Sequence, residues 1–234
     1  MSLATSDTPQ NAALSTPTLF EKIEDLVGRT LLTFWWLWSL ASQTASFFNL
    51  PTRGQGNIHE FLDSVHSLLL LIFTILAAFM TMTRRPPKKI AAGIEPRVTA
   101  LAGAFLLGIL PLLPTVTTPV DLQIIALPIT LVGLVASIYA LWWLGQSYAV
   151  MAAARELVTG GPYRFVRHPL YAAELIMILG LCLWNVSISS VLLLVAITLL
   201  QLRRAHHEEQ VLREAFPEYK DYARRVPRIV PRLG

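Results

Sequence analysis

Apolar residues fall in long uninterrupted runs along this chain, and the polar residues are confined to short segments between them. Uncharged runs of roughly membrane-spanning length cover residues 30–52, 67–83, 98–120, 122–154 and 175–202. A membrane helix needs about 20 mostly apolar residues, and the second run extends back to about residue 58 with a few polar positions. The pattern predicts a helical membrane protein.

The last apolar run is too long for one span and has polar residues at its middle. The sequence there is LWNVSISS, residues 183–190, and Asn and Ser favour a turn over a continuous helix. We therefore predict two short helices that form a hairpin, 170–184 and 187–202. The predicted fold class is then all-α, a polytopic membrane protein with about six transmembrane helices.

The distribution of basic residues supports six spans. The chain has 19 Lys and Arg residues, and six spans place all of them except Arg53 on one face. Five or seven spans would destroy this asymmetry. By the positive-inside rule the basic face is cytoplasmic. Both termini are therefore predicted to be cytoplasmic, in the inner or plasma membrane of a bacterium.

Composition excludes several other classes of protein. Only 15% of the residues are charged and 54% are hydrophobic, whereas soluble domains average about 25% charged residues. The formal charge of +4 would suit nucleic acid, but the bases flank the apolar runs, where they meet lipid headgroups. We expect membrane lipids as partners and no nucleic acid. The single cysteine, Cys182, excludes a disulfide framework and a cysteine-rich metal site.

The two ends of the chain are polar, and they divide it into three parts. Residues 1–20 lack the basic and apolar regions of a signal peptide and are predicted to be a disordered tail. Residues 21–143 hold four spans, and residues 144–234 hold the hairpin and a C-terminal tail. Apolar tail residues recur at three- and four-residue spacing, which predicts amphipathic helix. Pro217 predicts two short helices there.

The densest ionisable chemistry lies just before the hairpin, in LVTGGPYRFVRHPLYAAE, residues 157–174. The Gly-Gly-Pro sequence at 160–162 predicts a tight turn. His168 precedes a proline and is disfavoured in helical dihedrals, which leaves Pro169 as the first residue of the next helix. The N–H groups at that helix start favour an anionic ligand group, with Arg167 beside them. The alternative is a positively charged anchor at the lipid interface.

Two adjacent acids, Glu208 and Glu209, stand out in the basic tail. Glu209 has the i,i+4 spacing of an exposed ion pair with Arg213. Neighbouring helical residues point about 100° apart, so one acid can face a pocket while the other faces that arginine. An acid that faces a pocket suits a cationic ligand or a ribose diol.

A third polar group, His59, Asp63 and His66, occupies one face of the second predicted helix. Asn57 and Glu60 resemble a capping box at the start of that helix. A metal site would need ligands spread over two helical turns, and ionisable residues within membrane helices usually face the protein interior. We favour a structural role over substrate contact, and both over a metal. No dinucleotide or Walker motif is present, which excludes the soluble nucleotide-binding folds.

Two sequence blocks carry a family resemblance. They are LVTGGPYRFVRHPLY at 157–171 and RRAHHEEQVLREAFPEYKDYARRVPRIVP at 203–231, separated by the predicted hairpin. In this order they resemble the isoprenylcysteine carboxyl methyltransferases and their wider relatives, the phospholipid methyltransferases. The resemblance extends from about residue 144 to the end of the chain. The first half resembles the family only as generic membrane helices.

The resemblance implies S-adenosylmethionine (AdoMet) as the methyl donor, bound in a cytoplasmic pocket roofed by the tail. By position, the cofactor contacts fall on Glu156, Leu157, Val158, Tyr163, His168, Pro169, Leu170, Tyr171 and Glu208. The residues themselves add Arg167 beside the helix start and Glu209 in the acidic pair. Arg204 matches an arginine that the family places near the acceptor, and it is the predicted catalytic residue. Tyr148 stands where relatives can offer an amide, with Gln146 two residues away.

The implied chemistry agrees with these residue types. Arg167, His168 and the helix start suit the carboxylate of AdoMet, and Glu208 suits its ammonium or ribose diol. Methyl transfer from a sulfonium needs positioning more than acid–base catalysis. A lipidic or amphipathic carboxylate acceptor, as in prenylcysteine-type esterification, needs no general base and could be held by Arg204. No metal is required, and other lipid acids, phospholipid amines and hydrophobic thiols stay open as acceptors.

Two rival functions remain. Membrane sterol reductases share part of this C-terminal architecture and use NADPH, but their tail signature carries cysteine and lysine positions that are absent here. A non-enzymatic membrane scaffold with a vestigial pocket is the other, and the intact set of Arg204, His168, Tyr171 and Glu208 argues against it. Thermal stabilisation by AdoMet or by NADPH separates the three.

Overall fold

Helices dominate the architecture of the protein. The structure is a computed structural model that describes residues 19–48, 58–106, 120–149 and 151–231. Its α-helices in that part of the chain are α1 Leu19–Phe48, α2 Ile58–Thr83, α3 Ile94–Phe105, α4 Val120–Leu144, α5 Pro169–Trp184, α6 Ile188–Ala215 and α7 Tyr219–Arg225. The predicted helical fold class is therefore confirmed. The predicted N-terminal tail lies almost entirely outside the described residues.

A short antiparallel ladder departs from the all-α prediction. Strand β1, Lys89–Ile90, pairs with β2, Ala153–Ala154. Alanine is a poor strand former, so no strand signal was visible at these positions. The ladder is stabilised from outside, because Ala154 and the flanking Ala91 and Ala152 share one buried cluster with Phe216, Tyr219 and Tyr222 of the tail.

Helices α4 and α5 lie unusually close together. A Cβ atom added at Gly180 of α5 would lie 2.6 Å from the Thr130 nitrogen, and one added at Gly133 of α4 would lie 2.6 Å from the Met177 Cα. Small residues at a helix interface allow the two backbones to approach. A buried cluster that includes Leu134 then joins α4 to α5 and α6.

The predicted hairpin is confirmed, because α5 ends at Trp184 and α6 begins at Ile188. Two serines fix the start of α6. The Ser190 N–H donates to Ser187 Oγ at 3.1 Å, and the Ser187 N–H donates to Ser190 Oγ at 2.9 Å. This reciprocal arrangement is a capping box, and it explains how so short a turn can end one helix and begin the next.

One predicted helix end was wrong. Helix α4 ends at Leu144, well before the uncharged run ends at 154, because Gly145 adopts a positive φ of 52°, a conformation that ends helices. Helix α6 continues past residue 202 to Ala215, because the polar segment 203–215 consists largely of good helix formers. The break predicted at Pro217 is confirmed, since α7 begins at Tyr219.

Among the described residues, two stretches of helix are long and apolar enough to cross a membrane, Ile124–Ser147 and Ile188–Ala215. Leu71–Thr83 and Pro169–Trp184 are shorter apolar helices. Large apolar side chains point outward from them; Trp142 is 68% exposed and Leu192 is 64% exposed. Such surfaces fit contact with lipid. The count of six spans and their orientation stay predictions, and the predicted span at 98–120 lies partly outside the described residues.

Candidate functional site

One cavity lies where α4, α5 and α6 meet the segment 147–168 and the tail helix α7. Its volume is about 1190 Å³, including its open mouth. Part of this volume lies in the mouth, outside the protein wall, so the residues that line the cavity and not its volume decide what it can bind.

Ten of the twelve predicted site residues line this cavity. They are Glu156, Leu157, Val158, Tyr163, Arg167, His168, Leu170, Tyr171, Arg204 and Glu208. Pro169 and Glu209 are not among the lining residues. Sequence reasoning left out further lining residues of the same region, namely Arg155, Glu174, Leu212, Tyr219 and Tyr222.

The start of α5 is held against the C-terminal segment by main-chain bonds. The Arg167 N–H donates to the Pro227 carbonyl at 2.9 Å, and the His168 N–H donates to the Arg228 carbonyl at 3.0 Å. His168 has the non-helical dihedrals expected before Pro169. The motif predicted from the sequence and the end of the tail therefore form one unit.

Glu209 stabilises that unit instead of contacting the cavity. Its side chain is only 2% exposed, and its oxygens lie 3.1 Å from His168 Nε2, 3.1 Å from Arg167 Nη2, 3.1 Å from Arg213 Nη2 and 3.0 Å from Arg228 Nε. Burial of a carboxylate is tolerated when it is paired and hydrogen-bonded. The prediction that Glu209 binds the cofactor is therefore corrected, because its hydrogen-bonding capacity is used within the protein.

Arg167 is engaged in the same way. Its Nη1 donates to the Ala223 carbonyl at 2.6 Å, and its Nη2 faces Glu209. The residue lines the cavity, but both terminal nitrogens bind the tail. Its main effect is to fix α7 over the cavity, which differs from the predicted role as a direct carboxylate ligand.

Glu208 lines the cavity and is the acid that a ligand can reach. Its side chain is 20% exposed, it accepts a hydrogen bond from the Tyr171 hydroxyl, and its Oε2 lies 3.7 Å from His168 Nδ1. The His168 and Tyr171 rings stack with their centroids 5.5 Å apart. Glu208 and Glu209 thus point in different directions, as helical geometry predicts: Glu208 faces the cavity and Glu209 faces Arg213.

Arg204 belongs to a buried polar chain between α5 and α6. Its Nη1 donates to Gln201 Oε1 at 3.0 Å, and Gln201 Nε2 donates to Glu174 Oε2 at 2.6 Å. The Arg204 guanidinium carbon lies 4.9 Å from the centroid of the Tyr171 ring, a cation–π distance. Glu174 and Gln201 were missed, although polar residues inside apolar helices commonly mark functional sites.

Of the two alternatives for the upstream contact, Tyr148 lines the cavity and Gln146 does not. Gln146 instead accepts a hydrogen bond from Arg85 Nε at 3.2 Å. Arg85 also pairs with Glu156 at the exposed rim, where the Glu156 side chain is 52% exposed. Arg85 therefore links the rim of the cavity to the segment between α2 and α3.

A second part of the cavity wall, called the apolar end below, has apolar side chains. It is lined by Trp36 of α1, Phe73 of α2, Leu144, Leu170 and Met177. The Trp36 and Phe73 rings are packed edge to face with centroids 6.5 Å apart. These first two residues belong to the half of the chain for which the sequence showed no family signal.

Buried tyrosines line the polar end as neutral donors. Burial raises the pKa of the Tyr163 hydroxyl well above its ordinary value and that of Tyr222 to about 12. The Tyr222 hydroxyl donates to the Tyr163 carbonyl at 2.5 Å. This bond attaches α7 to the turn at Gly161–Arg164, which the Gly-Gly-Pro sequence predicted.

The described residues contain no group of three His, Cys, Asp or Glu side chains that could hold a metal ion. The side chains of His59, Asp63 and His66 lie outside the part of the chain that the structure describes, so their role stays a prediction.

The geometry describes a helical protein with a polar cavity at the ends of apolar helices, and sequence comparison finds a family similarity in that region. The sequence model of the phospholipid methyltransferase family matches residues 122–219. This segment begins in α4, includes the hairpin and ends at the first residue of α7. The resemblance inferred from the two sequence blocks is therefore confirmed for this part of the chain.

Two curated relatives are similar over a shorter stretch. The nickel-cobalt-cadmium resistance protein NccN of Alcaligenes xylosoxydans xylosoxydans is 42% identical over 80 residues, 34% of this chain and 38% of that protein. The cobalt-zinc-cadmium resistance protein CzcN of Cupriavidus metallidurans is 43% identical over 79 residues, 33% of this chain and 37% of that protein. The chain spans less than two-fifths of the length of either relative.

Proposed function

We propose that this protein transfers a methyl group from AdoMet to a lipidic or amphipathic acceptor at the cytoplasmic face of a membrane. The observation that carries the proposal is the composition of one continuous cavity. Its polar end is built from the segment that matches the phospholipid methyltransferases, with Tyr171, Arg204 and Glu208 in its lining. Its other end is apolar and is lined by Trp36 and Phe73.

The residues of the polar end fit AdoMet by their chemistry. Leu157, Val158 and Leu212 offer apolar walls suited to an adenine ring. Glu208 suits the ammonium group or the ribose diol, and the N–H groups in the first turn of α5 suit the carboxylate. When bound, AdoMet supplies an activated methyl group on its sulfonium.

The protein's own residues would then hold and orient the acceptor. Arg204 is fixed by Gln201 on one side and by the Tyr171 ring on another, so its guanidinium has a defined direction. A carboxylate acceptor would bind it by charge-assisted hydrogen bonds and would need no general base. The apolar end would receive the hydrocarbon part of the acceptor and exclude water from the reacting atoms.

The metal-resistance names of the two relatives leave this proposal unchanged. A methyltransferase that modifies a membrane component is compatible with a contribution to resistance, and the match to the family model supports methyl transfer as the underlying chemistry.

The test is AdoMet binding to the detergent-purified protein by calorimetry, with Glu208→Gln as the variant. Removal of this charge should weaken binding about ten- to hundredfold and should leave the unfolding temperature nearly unchanged, because Glu208 is partly exposed. Glu214→Gln is the matched control, because Glu214 is an exposed acid of α6 that does not line the cavity, and its effect should be small. Folded wild-type protein that binds NADPH and not AdoMet would support the reductase alternative instead.

A second measurement addresses turnover. Methyl transfer from labelled AdoMet into a bacterial lipid extract should fall by about 10²–10³ in Arg204→Ala, while the dissociation constant of AdoMet changes little. Equal loss of cofactor affinity and turnover in this variant would show that Arg204 binds the cofactor rather than the acceptor.

A further inference from the structure

Tyr219, the first residue of α7, has a buried hydroxyl group that no described residue satisfies. The residue is 1% exposed, and its hydroxyl oxygen has no hydrogen-bond partner within residues 19–48, 58–106, 120–149 and 151–231. The same residue lines the cavity. Buried polar groups in folded proteins nearly always have a partner, so an orphan hydroxyl at a cavity wall requires an explanation.

Packing alone does not require this hydroxyl. The Tyr219 ring belongs to a buried cluster with Val211, Ala215 and Phe216, and a phenylalanine ring would fill the same space. The hydroxyl therefore adds a desolvation cost without a compensating bond in the free protein.

The neighbouring tyrosine of α7 shows the contrasting arrangement. Tyr222 lies three residues further on, and its ring centroid is 5.9 Å from that of Tyr219. Its hydroxyl donates to the Tyr163 carbonyl at 2.5 Å. Of these two buried tyrosines, one uses its hydroxyl to attach α7 to the protein, and the other has no protein acceptor.

The surroundings of Tyr219 define what its hydroxyl can bind. Leu157 and Leu212 pack against the same cluster and line the same cavity. The nearby Glu209 and Arg167 are already paired with each other. Burial raises the pKa of the Tyr219 hydroxyl further above its ordinary value, so it is a neutral donor in an apolar wall.

We propose that Tyr219 is a cofactor-binding residue whose hydroxyl donates a hydrogen bond to the adenosine part of AdoMet, at a ring nitrogen or a ribose oxygen. The inference rests on the proposed function. A flat, uncharged group with acceptor atoms matches a neutral donor in a wall that also holds Leu157 and Leu212, whereas the charged amino-acid part of AdoMet needs the charged partners near Glu208 and the start of α5. Binding would thus satisfy a group that the free protein leaves unpaired.

The experiment compares Tyr219→Phe with Tyr222→Phe, which removes the hydroxyl from the neighbouring tyrosine. Two quantities are measured for each: the unfolding temperature without ligand, and the dissociation constants of AdoMet, S-adenosylhomocysteine and 5′-methylthioadenosine. Tyr219→Phe should leave the unfolding temperature equal or higher. It should weaken all three ligands by a similar factor, about three- to tenfold, because all three contain adenosine. Tyr222→Phe should lower the unfolding temperature.

The outcomes separate this inference from the proposed function. AdoMet binding by the wild type with equal affinity in Tyr219→Phe would overturn the inference and leave the proposed function intact. An unfolding temperature lowered in Tyr219→Phe as much as in Tyr222→Phe would show that the hydroxyl has a structural partner, and would also overturn it. Folded wild-type protein that binds none of the three ligands would overturn the proposed function and this inference with it.

Discussion

The two ends of the cavity are built in different ways. At the polar end, charged groups join distant parts of the chain, and Glu209 contacts Arg167 and His168 of the motif at 157–174 as well as Arg228 of the C-terminal segment. At the apolar end, Trp36 and Phe73 contribute aromatic rings packed edge to face. The difference indicates that the polar end is specified by particular paired residues, while the apolar end is specified by how helices pack.

The largest expected effect is on the polar end, from Glu209→Ala. This change removes the buried carboxylate that Arg167, His168 and Arg228 share. Breaking a buried ion pair costs about 3–5 kcal/mol. We expect a marked fall in the free energy of unfolding, measured by thermal or denaturant unfolding in detergent. Arg213→Ala is the control; its side chain is 46% exposed, so its loss should cost less than about 1 kcal/mol. Equal stability of the two variants would contradict the view that Glu209 holds this end together.

A smaller effect is expected from Gly180→Ala, which changes helix packing away from the polar end. The added methyl group would overlap Thr130, and overpacking typically costs about 1–3 kcal/mol. The unfolding temperature should fall while the dissociation constant of AdoMet stays within about twofold. Leu179→Ala, at the adjacent position with a side chain that is 41% exposed, should be less harmful. A normal unfolding temperature in Gly180→Ala would show that α4 and α5 are further apart than described.

The smallest effect on cofactor affinity is expected from Phe73→Leu, which tests whether the apolar end affects turnover independently of the polar end. This change alters the shape of the apolar end and should reduce methyl transfer into a lipid extract, while AdoMet affinity changes by less than about twofold. Phe79→Leu lies on the same helix with a side chain that is 57% exposed and should leave both quantities unchanged. If Phe73→Leu weakens AdoMet binding as strongly as Glu208→Gln, the two ends are not separate.

The parts of the fold that were predictable from the sequence are those with strong local signals. The Gly-Gly-Pro turn, the hairpin turn at 183–190 and the break at Pro217 depend on residues that restrict their own backbone. The ladder between β1 and β2 was not predictable, because its alanines pair only where the tail packs against them. The extension of α6 to Ala215 was missed because hydropathy marks the edge of an apolar run and not the end of a helix.

The candidate site shows the same limit at the level of single residues. Helical geometry predicts that Glu208 and Glu209 point apart, but only the fold shows which of them faces the cavity. Arg167 was predicted to bind the cofactor carboxylate; it lines the cavity, yet its guanidinium is bound to the tail. The role of Gln201 depends on its partners Glu174 and Arg204, and that of Tyr219 depends on its hydroxyl having no partner among the described residues. Sequence spacing shows neither of these relations.

The contact between α4 and α5 also determines how a lipid-like molecule can reach the reacting groups. Because the two backbones meet across Gly133 and Gly180, a hydrocarbon chain has no gap to pass between these helices. Under the proposed function, we therefore expect the lateral route into the cavity on the side of Trp36 and Phe73, which line it from α1 and α2. Helices α1 and α2, which show no family resemblance, would then select the acceptor under the proposed function.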